Sequence, residues 1–127
     1  MEVIKIQGTD DTPTVTLEAD KGLCEISGRS LPEDVTAFYA PILSWLDDYA
    51  GSPNPQTVFT FKLVYFNTAS SKLLLDILVK LEKIHEDGHD VLVKWCYPDD
   101  DEDMKDAGEE YAEIVDIPFE QVSYDIA

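Results

Sequence analysis

The sequence predicts a single α/β domain built on a mixed β-sheet packed with helices. Three observations carry that expectation. The first quarter of the chain alternates apolar and polar residues in short runs broken by turn residues, as an antiparallel meander does. The remainder alternates strand-like runs with helix-length amphipathic segments, the pattern of parallel strands joined by crossovers. No linker and no internal repeat divides the 127 residues, so residues 1–127 read as one domain. With 44% hydrophobic residues the composition is ordinary for a globular protein. A chain of this length should bury roughly two-thirds of its unfolded surface.

Val3 to Gln7 suits a first strand, and Thr9 to Pro13 supplies turn chemistry. Val15, Leu17 and Ala19 alternate with Thr16 and Glu18 as a second strand, which Asp20-Lys21-Gly22 turns into a third from Leu23 to Ser27. Gly28 to Pro32 reads as a loop leading into a helix through Pro32-Glu33-Asp34, with acids in its first turn. Val35, Phe38, Tyr39, Ile42, Leu46 and Tyr49 recur at helical spacing, and Pro41 within them predicts a kink or a split. After the breaker Gly51-Ser52-Pro53-Asn54-Pro55, Thr57 to Phe66 is the most strand-like segment. Its apolar residues fall on both faces, which predicts a central strand covered on both sides.

A second helix is expected from about Ala69 to His85, with Leu74, Ile77, Leu78, Leu81 and Ile84 as its buried stripe and Gly88 as its stop. Val91 to Tyr97 follows as a strand adjacent and parallel to the Thr57–Phe66 strand, through a right-handed crossover. A third, acidic helix is expected over about Asp103 to Asp116, and Phe119 to Tyr124 as a last edge strand.

Charge excludes several function classes. Twenty-seven acids face nine bases, a net charge of -18, and Arg29 is the only arginine. Such a surface repels nucleic acid and anionic membranes, since phosphate binding needs clustered Lys and Arg. It suits solubility and basic protein partners, although a merely solvated acidic surface has the same composition. Residues 99–127 hold twelve acids against Lys105 alone, which predicts a solvent-facing helix. Cys24 and Cys96 lie in strand-like runs without a CxxC pair and read as buried, reduced thiols. The first residues lack the pattern of a signal peptide, and no apolar run reaches the roughly twenty residues of a membrane span. A cytoplasmic location without membrane insertion is the expectation.

Three segments carry candidate chemistry. His85-Glu86-Asp87-Gly88-His89 matches the HExxH string of zinc peptidases, but that chemistry needs both histidines on one continuous helix and a third ligand. Gly88 and the strand beyond it make this a helix end. The run Asp99-Asp100-Asp101-Glu102-Asp103 lacks the spacing and central glycine of an EF-hand loop. It reads as a solvated helix start, with divalent binding or partner docking as alternatives. Phosphate loops, nucleophile elbows and dinucleotide turns are missing. No cofactor is implied. The third segment, Asn67-Thr68-Ala69-Ser70-Ser71-Lys72, joins the most apolar strand to the best helix. Helix capping alone explains these residues. A phosphorylation switch explains them as well, since a phosphate here would meet the positive end of the helix.

The stretch YFNTASSKLLLDIL, residues 65–78, followed by WCYPDDDEDMKDAGEEY, residues 95–111, resembles the SiaC family of small bacterial regulators. GTDDTPTV, residues 8–15, and GRSLPEDVTAFYAPILSWLDDY, residues 28–49, are similar to that family too. The resemblance implies a STAS-like domain, related to anti-sigma factor antagonists, that works as a non-enzymatic partner switch. In that scheme a Ser/Thr kinase phosphorylates a threonine of the NTxSSK segment and a PP2C-type phosphatase removes the phosphate. The unphosphorylated form binds and activates a diguanylate cyclase, which promotes cyclic di-GMP signalling and biofilm formation. The matching threonine is Thr68, and Asn67, Ala69, Ser70, Ser71 and Lys72 complete the partner-binding switch segment. Ala69 stands where serine is common in the family, a change that spares the acceptor and the helix start. The runner-up functions are a metal-dependent enzyme using the acidic cluster with His85 or His89, and a structural assembly protein without a switch.

Overall fold

The structure, a computed structural model, describes residues 1–125. The strands are β1 (Ile4–Ile6), β2 (Thr14–Glu18), β3 (Leu23–Ser30), β4 (Gln56–Phe66), β5 (Asp90–Pro98) and β6 (Phe119–Tyr124). The helices are α1 (Val35–Ala50), α2 (Thr68–Glu86) and α3 (Glu102–Ile114). Spatial order equals chain order across one six-stranded sheet. β1, β2 and β3 pair antiparallel, and β3 to β6 pair parallel, as the alternation of strands and helices predicts.

That order decides where the helices go. Each parallel connection steps one place in the same direction, and crossovers of this kind are right-handed. Three in succession therefore stack α1, α2 and α3 on one face of the sheet. The burial pattern agrees. Val15 and Leu17 on β2, Cys24 and Ile26 on β3, Phe59, Phe61 and Leu63 on β4, and Val93 and Trp95 on β5 all enter one core with the helices. The residues between them, such as Thr16, Glu25, Thr60, Lys62 and Lys94, are half-buried or exposed.

The expectation that β4 is covered on both faces is therefore corrected. Val58 and Val64 are β-formers on an uncovered strand face, not a second core. The supposed loop at Gly28 is also strand. β3 runs to Ser30, and the register slips between Gly28 and Arg29, so Gly28 pairs with Leu63 and Arg29 with Tyr65. Val64 is left without a partner on β3.

Pro41 does not split α1, which is continuous from Val35 to Ala50. Pro41 lies on the exposed side, where water can take the carbonyl freed at Ala37. The acids before α1 flank it instead of filling its first turn: Asp34 is the N-cap and accepts from the Ala37 N–H at 3.1 Å. Cys24 is buried as expected, but Cys96 is only half-buried because it faces the uncovered side.

α3 crosses β5 and β6 on an aromatic pivot. Trp95 is fully buried, donates from Nε1 to the Met104 carbonyl at 2.9 Å, and has Tyr111 and Phe119 rings at 5.5 and 6.3 Å. Gly108 lets α3 approach this ring: a Cβ there would collide with Trp95 Cδ1 and Cγ and with Gln121 Nε2.

Two predictions follow from the packing. Gly108→Ala should lower stability by about 1–3 kcal/mol, read as a lower urea midpoint. The helix-propensity gain from alanine is about 1 kcal/mol, and the Trp95 ring, bonded and stacked, has no room to yield. An unchanged or raised midpoint refutes that close approach. The second concerns alkali. Burial pushes the Cys24 thiol from 9.0 up to about 12, so the unfolded chain loses this proton first. The contribution of this thiol to stability should be whole below pH 9.0 and be lost as pH rises towards about 12. Cys24→Ala should flatten that part of the unfolding profile, and an undiminished alkaline slope in the variant excludes the thiol as its source.

Candidate functional site

β4 passes into α2 through Asn67, whose extended backbone (φ -86°, ψ 173°) ends the strand and whose side-chain oxygen accepts from the Ser70 N–H at 2.8 Å. The Asn67 N–H donates to the Ser30 carbonyl at 3.2 Å, tying the junction to the end of β3. The helix begins at Thr68, which is exposed, as are Ala69 and Lys72. Lys72 is four residues on and shares the Thr68 face of the helix.

Ser70 and Ser71 point elsewhere. Ser70 is fully buried and donates from Oγ to the Ser30 carbonyl at 2.9 Å. Ser30 Oγ donates to Ser70 Oγ at 2.9 Å. Since Ser30 has one hydroxyl proton, the 2.6 Å contact between Ser30 and Tyr39 is a donation from Tyr39. A chain of donors thus runs from Tyr39 on α1 through Ser30 on β3 to Ser70 on α2 and back to the Ser30 carbonyl. Burial holds the Tyr39 phenol above its ordinary value, partly opposed by its bond to Ser30, so it keeps the proton it donates. Ser71 is half-buried; its Oγ donates to the Thr68 carbonyl at 2.6 Å, and its own carbonyl accepts from Tyr111 of α3 at 2.8 Å.

The first turn of α2 is thereby fixed to β3, α1 and α3: Ser70 is buried and Ser71 is spent on the Thr68 carbonyl, while Thr68 itself is exposed. The start of α2 also differs electrostatically from its neighbours. α1 is capped by Asp34, and α3 is capped by Asp101 with Glu102 and Asp103 in its first turn. α2 has a neutral cap and no acid in its first turn. The partial positive charge of its N-terminus is uncompensated.

The other sequence candidates are placed as follows. His85 sits in the last turn of α2, with Nδ1 3.3 Å from the His89 carbonyl oxygen. Gly88 has φ of 100° and His89 lies beyond the helix, so the two imidazoles do not share consecutive helical turns. Of the acidic run, Asp101 is consumed as the α3 cap, accepting from Met104 N–H at 3.0 Å. Among the described residues no group of three or more His, Cys, Asp or Glu could hold a metal ion. No helix among them is long and apolar enough to cross a membrane. Sequence reading missed Ser30, Tyr39 and Tyr111 as supports of the Asn67–Lys72 segment. Ser30 and Tyr111 lie 40 residues from the serines they bond, and no local pattern joins them.

The family pattern described as SiaC family regulatory phosphoprotein matches residues 6–124. An uncharacterized protein of Pseudomonas aeruginosa strain UCBPP-PA14 is 28% identical over 125 residues, spanning 98% of this chain and 99% of that one. The solved structure of SiaC of Pseudomonas aeruginosa superimposes with a TM-score of 0.90 at 27% identity, covering 98% of this chain and 100% of that chain. A crystal structure of the diguanylate cyclase SiaD in complex with its activator SiaC, from the same organism, matches with a TM-score of 0.90 at 27% identity over 95% of this chain and 99% of that chain.

The unequal roles of the hydroxyls predict unequal costs. Ser70→Ala should destabilise the fold by about 1–3 kcal/mol, because it removes the acceptor of the buried Ser30 O–H and the donor to the Ser30 carbonyl. Asn67→Ala should cost about 1 kcal/mol as a lost cap, and Thr68→Ala should stay within about 0.5 kcal/mol. Equilibrium denaturation orders the three, and a Thr68→Ala cost equal to that of Ser70→Ala contradicts this division.

Proposed function

The chain belongs to the SiaC family of regulatory phosphoproteins, and from that premise we propose that it is a non-catalytic switch whose form unphosphorylated at Thr68 binds and activates a diguanylate cyclase. The observation that carries the proposal is the isolation of the Thr68 hydroxyl. It is exposed on the first residue of α2, while Ser70 is sealed in a buried hydrogen-bond chain and Ser71 is turned back on the helix. A Ser/Thr kinase reaches the first without unfolding anything. The reverse step belongs to a PP2C-type phosphatase, and the setting is the bacterial cytoplasm, in control of cyclic di-GMP and biofilm formation. Asn67, Ala69 and Lys72 frame the hydroxyl on the partner-facing surface.

The physics of the switch is local. A phosphate brings close to two negative charges to an uncompensated helix N-terminus, within reach of Lys72 four residues on. The fold tolerates it, because the first turn is held by bonds that Thr68 does not make with its side chain. A partner packed over a neutral threonine must instead desolvate the dianion, at a cost of several kcal/mol.

The test uses protein phosphorylated at Thr68, unphosphorylated protein and the Thr68→Ala variant, each titrated into a diguanylate cyclase from the same genome while cyclic di-GMP is measured. Unphosphorylated protein and Thr68→Ala should stimulate synthesis, and the phosphoprotein should bind at least about tenfold more weakly, a difference of about 1.4 kcal/mol. Thr68→Glu carries about half the charge of a phosphate and should lie between. Equal stimulation by both phosphorylation states, or native phosphate found on Ser70 or Ser71 by mass spectrometry, removes Thr68 from this role.

A further inference from the structure

Beyond Phe61 and Trp95 the sheet forks. β4 and β5 pair in register only from Gln56↔Asp90 to Phe61↔Trp95. Past that point β4 stays with β3 as far as Ser30↔Phe66, while β5 stays with β6 as far as Pro98↔Tyr124. The first turns of α3 lie across the opening. What remains is a cleft of about 210 Å³, walled by Val64, Tyr65, Phe66 and Met104 and rimmed by Asp101 and Asp103. A cavity of about 150 Å³ accepts benzene, so there is room for one branched or aromatic side chain.

Two features make this cleft unlike an ordinary surface dent. Val64 and Tyr65 are 48% and 46% exposed, two consecutive large side chains at the register slip that leaves Val64 unpaired, with the Arg29 guanidinium 5.7 Å from the Tyr65 ring. Apolar exposure of this kind, rimmed by polar groups, marks interaction sites. On the α3 side the rim is anionic, as is the next groove along α3, where Asp99, Glu102 and Asp106 outnumber Lys105; the basic Arg29 stands on the opposite, Tyr65 side. A second copy of a chain with net charge -18 would bring acid against acid here. The complement of an apolar floor and a carboxylate rim is an apolar side chain beside a basic one.

We propose that the fork between β4 and β5 is a docking cleft for a segment of a partner protein that inserts one aliphatic or aromatic anchor and sets an adjacent Lys or Arg on Asp101 and Asp103. The inference rests on the reading of this sheet edge as the partner face. Thr68 follows Phe66 by two residues and Val64 by four, so along the chain it lies within about 14 Å of the cleft. One partner can cover both. The anchor then supplies the binding energy that a contact at Thr68 permits or denies.

The probe is a random dodecapeptide library displayed on phage and selected on the unphosphorylated protein. Enriched peptides should share an apolar anchor next to Lys or Arg. A synthetic peptide of that sequence should shift the amide resonances of residues 64–66 and 101–107. Its affinity should fall at least about tenfold for Val64→Asp, and several-fold for Asp103→Lys, with weaker binding as salt rises. Both positions are exposed, and thermal unfolding verifies that each variant is folded. If no such peptide is enriched, if the shifts fall elsewhere, or if both variants bind as the parent does, the cleft is not a docking site. The selection involves neither phosphate nor cyclase, so it can fail while Thr68 control stands, and Thr68 control can fail while the peptide still binds.

Discussion

Three parallel connections that all step the same way across one sheet constrain nearly everything else in this protein. Right-handed crossovers then have one solution, with all three helices on the same face. The opposite face stays open, and residues such as Thr16, Glu25, Thr60, Lys62 and Lys94 stand on it beside apolar ones such as Val58, while the alternate residues fill the core. The same constraint brings the N-termini of α1, α2 and α3 to the edge where β3, β4 and β5 end. Three partial positive charges collect there, in a chain otherwise rich in acids. Two are answered by Asp34 and by the Asp101-to-Asp103 group, and the one at Thr68 is not.

At that edge the hydroxyl chain from Tyr39 through Ser30 to Ser70 does what a covalent staple does elsewhere: it fixes the first turn of α2 against two other elements. Every proton in it has one acceptor, so it is a satisfied buried network, the kind that specifies a geometry instead of straining it. Tyr111 adds a third attachment through the Ser71 carbonyl. Thr68 stands on a rigid base to which its own side chain contributes nothing. A modification there changes what the surface presents and leaves the fold as it was. That separation is what the proposed switch at Thr68 requires.

Much of this was legible in the sequence because it is written in local patterns. Helical spacing gave α1 and α2, the alternation of strands with helices gave the parallel pairing of β4 and β5, and the Asn67–Lys72 cluster marked a helix start. The failures share a cause, which is that tertiary placement overrides local chemistry. Val58 and Val64 look like core until the sheet is known to be covered on one side only. Gly28 looks like a loop until its pairing with Leu63 is seen. Pro41 looks like a break, but it falls on the exposed face of its helix, where the lost bond costs least. Ser70 cannot be told from Thr68 by composition, since its burial depends on Ser30 and Tyr39, which belong to other elements. The fork in the sheet is likewise a matter of register, which no single segment carries.

The proposed switch adds negative charge to an already acidic protein, which poses an electrostatic puzzle, since a basic partner should be drawn more strongly to the phosphorylated form. Distance resolves it. Through water, two unit charges 4 Å apart interact by only about 1 kcal/mol, and in physiological salt the field decays over about 8 Å. The surface already carries a net charge of -18, so two further charges alter the long-range attraction little. Desolvation acts only at contact and costs several kcal/mol for a charged group left unpaired. A partner can therefore be recruited by the acidic surface in either state and seated in only one. For that arrangement to discriminate, the group that meets Thr68 must be uncharged or acidic, while the basic groups of the partner lie off to the side. The structure provides the two environments: a neutral helix start at Asn67 and Thr68, and a carboxylate rim at Asp101 and Asp103 across the fork.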